Sequence, residues 1–212
     1  MIQKKINNGR EYRAFASNMA IADEEKMIVE GYAATFNQPY VLYDDGEYRV
    51  SEQISPRAFD ATDTSDVIMQ YDHEGRVFAR NKNGTLELSV DEHGLKVRAD
   101  LSGTDIGRQL YQEIKGGYTD KMSFGFTVES DEFVSEQKDG IYSELRTITA
   151  VKKLYDVSAV SIPANDATSI SARKLSEGVI DKLKTERMSA IKEELRNKIN
   201  LKIKIQEAIS NE

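Results

Sequence analysis

Hydrophobic and polar residues alternate through much of the first three quarters of the chain. Leu86, Leu88 and Val90 alternate with polar residues, and so do Leu95, Val97, Ala99 and Leu101. Asp91-Glu92-His93-Gly94 lies between them, so the two runs predict a β-hairpin. Met122, Phe124, Phe126 and Val128 repeat the two-residue period. Further β-favouring runs occupy Met27–Phe36 (interrupted by Gly31), Val67–His73, Tyr142–Val151 and Leu154–Ile162. Helix signals are fewer. Ser55-Pro56 offers a hydroxyl at the N-cap and proline at the first helical position, predicting a short helix over Pro56–Ala61. Ser102 or Thr104 caps a second helix, whose Ile106, Leu110 and Ile114 share a face and which Gly116-Gly117 stops. Many short strands with few helices between them predict a mainly β, α+β fold, built on a closed or strongly curved sheet with flanking helices.

The last forty residues differ in kind. After Thr168 the aromatics disappear and Lys, Glu, Ile and Leu dominate. Met188, Ile191, Leu195, Ile199 and Ile203 fall three and four apart, which predicts one apolar stripe on a long amphipathic helix. The chain is therefore expected to divide near Ala172, into a body over 1–172 and a helical arm over 173–212. The stripe suits a helix packed on its own body as well as a detachable partner-binding arm. Charge divides in the same place: residues 174–212 hold nine Lys/Arg and seven Asp/Glu, against 20 and 29 in the first 173.

Composition removes several chemistries. There are no cysteines, which excludes disulfides, thiolate zinc sites and cysteine nucleophiles. With only two histidines, His73 and His93, a multi-histidine metal site is nearly excluded. A net charge of −7 lacks the basic footprint of nucleic-acid binding. No apolar run approaches the ~20 residues of a membrane span, and the charged N-terminus lacks a signal-peptide core. The expectation is a soluble, cytoplasmic protein with neither nucleic acid nor membrane as partner.

Three residues could carry chemistry. Alternation sends Met122, Phe124 and Phe126 to one face of their strand and Ser123 to the other, with Gly125 leaving space beside it. That suits a nucleophile; a serine on the solvent face of an edge strand would look the same. His73 ends a β-favouring run and precedes Gly75, a setting for proton transfer or for a plain surface histidine. Asp156 is an acid in an otherwise apolar strand, and a buried carboxylate needs a partner. An imidazolium would serve, as would Lys152 or Lys153. His93 lies in the hairpin turn, where positive φ is tolerated. Asp72 and Glu74 flank His73, but adjacent strand residues point to opposite faces, so the two acids would lie across the strand from the imidazole, a poor metal site.

Taken in order, several segments resemble the prohead proteases of tailed bacteriophages across residues 25–170. They are Gly31-Tyr32-Ala33 with Phe36-Asn37, Ile54-Ser55-Pro56 with Ala58-Phe59, and Tyr71-Asp72-His73. Asn83-Gly84-Thr85-Leu86, Met122-Ser123-Phe124-Gly125-Phe126, and Asp156-Val157-Ser158 with Pro163-Ala164-Asn165 follow. That family is similar in fold to the herpesvirus maturation proteases, so the resemblance implies a β-barrel flanked by helices, a serine nucleophile and a histidine base. By motif these are Ser123 and His73. The third member falls on Asp156, where the phage family commonly carries glutamate. The herpesvirus relatives use a second histidine, for which His93 is the sole candidate and its turn setting unfavourable. The resemblance further implies a serine endopeptidase needing no cofactor. Its expected substrates and partners are the scaffolding region of the major capsid protein, or a separate scaffold protein, and the protease itself. It would act inside the assembling prohead in the bacterial cytoplasm, with a homo-oligomer left open. A non-catalytic assembly module, binding capsid subunits through the helical arm, is the alternative; a metal hydrolase lacks ligands.

Overall fold

From residue 11 to residue 160 the chain is nearly all strand and turn. In order, the elements are β1 (Glu11–Asn18), β2 (Ala20–Asp23), β3 (Ile28–Thr35), β4 (Tyr40–Asp44), β5 (Tyr48–Ile54), β6 (Ile68–Tyr71), β7 (Glu74–Arg80), β8 (Leu86–Val90) and β9 (Gly94–Asp100). The α-helix α1 (Asp105–Lys115) follows, then two long strands, β10 (Lys121–Lys138) and β11 (Ile141–Val160). This structure, a computed structural model, describes residues 9–138 and 141–161, with the backbone alone at 15–18, and the two helical positions Thr185 and Arg196. The chain divides into two units, Met1–Ser176 and Glu177–Glu212. The amphipathic helix expected over 173–212 otherwise lies outside the described residues.

The strands form two sheets. The larger has seven strands along the path β1-β10-β11-β5-β4, with β6 paired to β11 and β7 paired to β6. The smaller has the order β2-β3-β9-β8. β11 organises the larger sheet. One edge pairs antiparallel with β10 along its length. The other is shared: Tyr142–Ile148 pair in parallel with β5, and Asp156–Ala159 pair in parallel with β6. The sheet therefore forks along β11 instead of wrapping back on itself. The expected closed barrel with flanking helices is corrected to two open sheets with α1 as the α-helix of this region. Alternation marks strands without stating their partners, and among the described residues the end strands β1, β4 and β7 do not pair with one another, as closure would need.

Local chemistry explains most elements. The Asp91 carboxylate accepts the His93 and Gly94 N–H groups at 2.8 and 3.1 Å, fixing the β8–β9 turn. A Cβ at Gly94 would lie 1.9 Å from the Ala34 carbonyl oxygen, so the contact between β3 and β9 requires glycine. Thr104 caps α1 by accepting the Gly107 N–H at 3.0 Å. Leu110 and Ile114 of α1 join the core with Phe124 and Phe126 of β10. The helix expected over Pro56–Ala61 is instead a series of turns. Ala58, Asp60 and Thr62 donate to carbonyls three residues back, while the Ala58 carbonyl accepts the Val151 N–H at 2.7 Å. An α-helix would give that carbonyl to Thr62, so the neighbouring sheet outcompetes it. The two strands expected over 142–162 are one, because Lys152 and Lys153 pair outward with Glu129 and Asp63 without ending the ladder.

A buried ion network ties four strands together. Arg13 of β1 reaches Glu52 of β5 at 2.5 and 2.9 Å. Arg146 of β11 reaches the same carboxylate at 2.8 Å, Glu11 at 2.8 Å and Asp131 of β10 at 2.7 Å. The Tyr40 hydroxyl also donates to Glu52. Burial alone would lower the Arg13 pKa, but Glu52, Tyr40 and Glu11 together outweigh it and hold the guanidinium charged. Burial alone would raise Glu11; the Arg146 and Arg13 charges outweigh it and the net shift is downward. A carboxyl depressed in the folded state contributes stability above its unfolded pKa, and that contribution disappears as pH falls through the folded value. Glu52→Ala leaves two buried guanidiniums short of a partner, with an expected cost of about 3–5 kcal/mol, read as a lower urea midpoint at unchanged slope. Glu11→Gln should narrow the stability difference between pH 7 and acid, measured by urea unfolding at both.

Candidate active site

The β6–β7 hairpin closes through the pair Tyr71 and Glu74, leaving Asp72 and His73 as a two-residue turn. Both have left-handed backbones, with φ of 47° and 61°. Paired positive φ matches the twist of a tight hairpin, but costs non-glycine residues on the order of 1–2 kcal/mol each. The end of β11 holds the turn in place. The Asp72 N–H donates to the Ala159 carbonyl at 3.0 Å. Its carboxylate accepts the Ser161 N–H and hydroxyl, each at 3.3 Å. The His73 N–H donates to Ser158 Oγ at 3.3 Å. His73 was expected at a strand end before a glycine turn; it occupies the turn itself, and Gly75 falls within β7.

Ser123 sits on β10 between β1 and β11, opposite Ala14 and Ser158. It is 2% exposed, so the solvent face of an edge strand is overturned as an explanation. Both faces of this stretch are covered, Met122, Phe124 and Phe126 by the core and Ser123 by its polar neighbours. Ser123 Oγ lies 2.5 Å from His73 Nε2 and 2.9 Å from the Arg13 carbonyl oxygen.

Asp156 is the cross-strand partner of Gly125 and is also 2% exposed. Its carboxylate is hydrogen-bonded to His73 Nδ1. The lysines that could have claimed it are paired elsewhere, Lys152 with Glu129 and Lys153 with Asp63. Gly125 makes the arrangement feasible. A Cβ there would lie 2.2 Å from Asp156 Oδ2 and 2.8 Å from Tyr12 Cε1. The space expected beside Ser123 is thus filled by a carboxylate and an aromatic ring. The Tyr12 ring stands 4.5 Å from the His73 imidazole, tilted by 59°.

The structure brings Ser123, His73 and Asp156 together and leaves His93 apart, with its side chain 68% exposed in the β8–β9 turn and its ring 6.0 Å from Tyr32. Three participants were not singled out from the sequence, the Tyr12 ring against His73 being one of them. Ser158, two positions after Asp156 on the same strand face, was open to the alternation rule. The Arg13 carbonyl had no such signal, because its place depends on β1 pairing with a strand over a hundred residues away.

The proton inventory follows from the partners. A carboxylate only accepts, so Asp156 favours the tautomer with the proton on His73 Nδ1. Nε2 then faces the Ser123 hydroxyl with a lone pair. The Arg13 carbonyl competes for the same single hydroxyl proton. Such an acid, imidazole and hydroxyl in series can transfer the hydroxyl proton and release an alkoxide-like nucleophile, as in serine hydrolases on unrelated folds.

Comparison with known proteins leads to the same class. The model of the caudovirus prohead serine protease family matches residues 15–182. The prohead protease of Enterobacteria phage HK97 is 30% identical over 161 residues, which is 74% of this chain and 64% of that protein. The chain thus spans somewhat less than two thirds of that relative's length. No solved structure matches. The chain belongs to the caudovirus prohead serine proteases.

Gly125→Ala is expected to displace the Asp156 carboxylate and break its hydrogen bond to His73. The check is loss of the low-field imidazole N–H resonance in proton NMR. Gly103→Ala is the control, since a Cβ there meets nothing within 4 Å.

Proposed function

We propose that this protein is a serine endopeptidase of capsid maturation, with Ser123 as nucleophile, His73 as general base and acid, and Asp156 as the carboxylate that orients the imidazole. The observation that supports this most strongly is the contact series from Ser123 Oγ to His73 Nε2, at 2.5 Å, and from His73 Nδ1 to Asp156. Ser123 Oγ attacks the scissile carbonyl carbon as its proton passes to Nε2. The resulting imidazolium is held by Asp156. Collapse of the tetrahedral intermediate breaks the C–N bond, and Nε2 returns the proton to the leaving amine. Water then repeats the sequence on the acyl-enzyme, with His73 again as base.

The substrates in this proposal are the scaffolding region of the major capsid protein or a separate scaffold protein, and the protease itself, cleaved inside the assembling prohead. Residues 173–212 would serve as the address that carries the enzyme there. Family membership and the relative named as a prohead protease support this assignment.

Ser123→Ala and His73→Ala should each abolish cleavage of capsid or scaffold substrate, and their losses should not add, because the groups act as a unit. Asp156→Asn should lower the rate by up to roughly 10⁴-fold, since an amide can hold the wrong imidazole tautomer. His93→Ala should be neutral. A fluorophosphonate probe should label Ser123 in the folded protein and fail to do so in His73→Ala. Cleavage retained in Ser123→Ala would end the proposal.

A further inference from the structure

Ser158 stands where the His73 turn, its imidazole and the Asp156 carboxylate meet. It is fully buried, with 0% exposure, on the β11 face that also carries Asp156. Its Oγ lies 3.2 Å from His73 Nδ1, 3.2 Å from Asp156 Oδ1 and 3.3 Å from the His73 backbone nitrogen. A hydroxyl has one proton and two lone pairs. The proton goes to the carboxylate, which cannot donate. The lone pairs accept the His73 backbone N–H and a share of the Nδ1–H. One oxygen therefore satisfies one donor from the turn, one from the ring and one acceptor lone pair of the acid.

These bonds are at the long end of the hydrogen-bond range, so none is strong alone. Their value is geometric. His73 is held by a left-handed backbone in a two-residue turn, at φ of 61°. A turn of that kind persists only where its surroundings fix it. The His73 backbone N–H would have no partner in the described residues without Ser158. The χ1 and χ2 rotations that aim Nε2 at Ser123 would then rest on the Asp156 bond and the Tyr12 ring. Cross-strand pairing also places Ser158 directly opposite Ser123, so one ladder position fixes the distance from nucleophile to turn.

We infer that Ser158 is a positioning residue for the proposed reaction: its hydroxyl locks the His73 backbone and the Asp156 carboxylate into one geometry, without touching the substrate. The inference rests on the assignment of Ser123 and His73 given above. Its energetic signature differs from that of a packing residue. Removing a fully buried hydroxyl whose hydrogen bonds go to His73 and Asp156 should lower kcat and leave KM alone.

The test compares wild type, Ser158→Ala, Ser158→Thr and Ser123→Ala as full-length chains. Peptide kcat and KM are measured, together with the rate of fluorophosphonate labelling per folded molecule. Ser158→Ala should lose about 10–100-fold in kcat and in labelling rate, the scale of outer-shell supports elsewhere, with KM unchanged. Amide hydrogen exchange at His73 should quicken. Ser158→Thr keeps the hydroxyl and should restore the labelling rate to within a few-fold of wild type. Normalising to folded molecules keeps the comparison valid if a variant is less stable. Wild-type kcat and labelling in Ser158→Ala, or a threonine variant as slow as alanine, would overturn the inference. Activity surviving in Ser123→Ala would instead overturn the nucleophile assignment on which it rests.

Discussion

The register between β10 and β11 is the constraint on which everything else depends. It pairs Ser123 with Ser158 and Gly125 with Asp156, and so brings a hydroxyl, a gap and a carboxylate onto one face of one ladder. A slip of one residue would send Asp156 and Ser158 to the opposite face, against Phe124 and the core. The hydrophobic side of the same strands prevents that slip, since Met122, Phe124, Val157 and Ala159 are all buried. Ordinary core packing thus sets the geometry of the polar face. The third partner comes from a different pairing: β6 runs beside Asp156–Ala159 and delivers the His73 turn over the ladder.

β1 links this site to the stability of the whole sheet. Its Tyr12 covers the imidazole, its Arg13 carbonyl meets the Ser123 hydroxyl, and its Arg13 side chain enters the ion network around Glu52. Neighbouring residues on one strand point to opposite sides, one to the site and one to the network. A buried network of this kind adds little net stability over an apolar equivalent, yet is costly to break. Its effect here is to fix β1 against β5 and β11, and with β1 the carbonyl that accepts from the Ser123 hydroxyl.

The sequence was informative where the physics is local. The β8–β9 hairpin, the Thr104 cap and the Gly116-Gly117 stop depend on residues within a few positions of one another, and each stands where alternation and turn chemistry predict it. The likeness in the segments around His73, Ser123 and Asp156 also pointed to three side chains that meet in space. What was not legible is non-local. Nothing near Pro56 announces that Val151 will claim the Ala58 carbonyl, so a helix signal became a series of turns. Alternation could not reveal that both faces around Ser123 are covered, because one cover is the β6–β7 turn and β1. The barrel failed for the same reason: a strand pattern does not say that, among the described residues, the end strands β1, β4 and β7 do not pair with one another.

Those parallel pairings also order events in time. His73 precedes Ser123 by 50 residues and Asp156 by 83, and the strand that carries Asp156 is the last in the sheet. A chain emerging from the ribosome holds the hydroxyl and the imidazole well before it holds the carboxylate and the β11 edge that supports the turn. Non-local pairing is slow to form compared with hairpins and helices. The contact series from Ser123 through His73 to Asp156 therefore exists only after the body has been made and its central strand has docked. A nascent chain carries the separate side chains without the contacts between them, and topology itself supplies the delay.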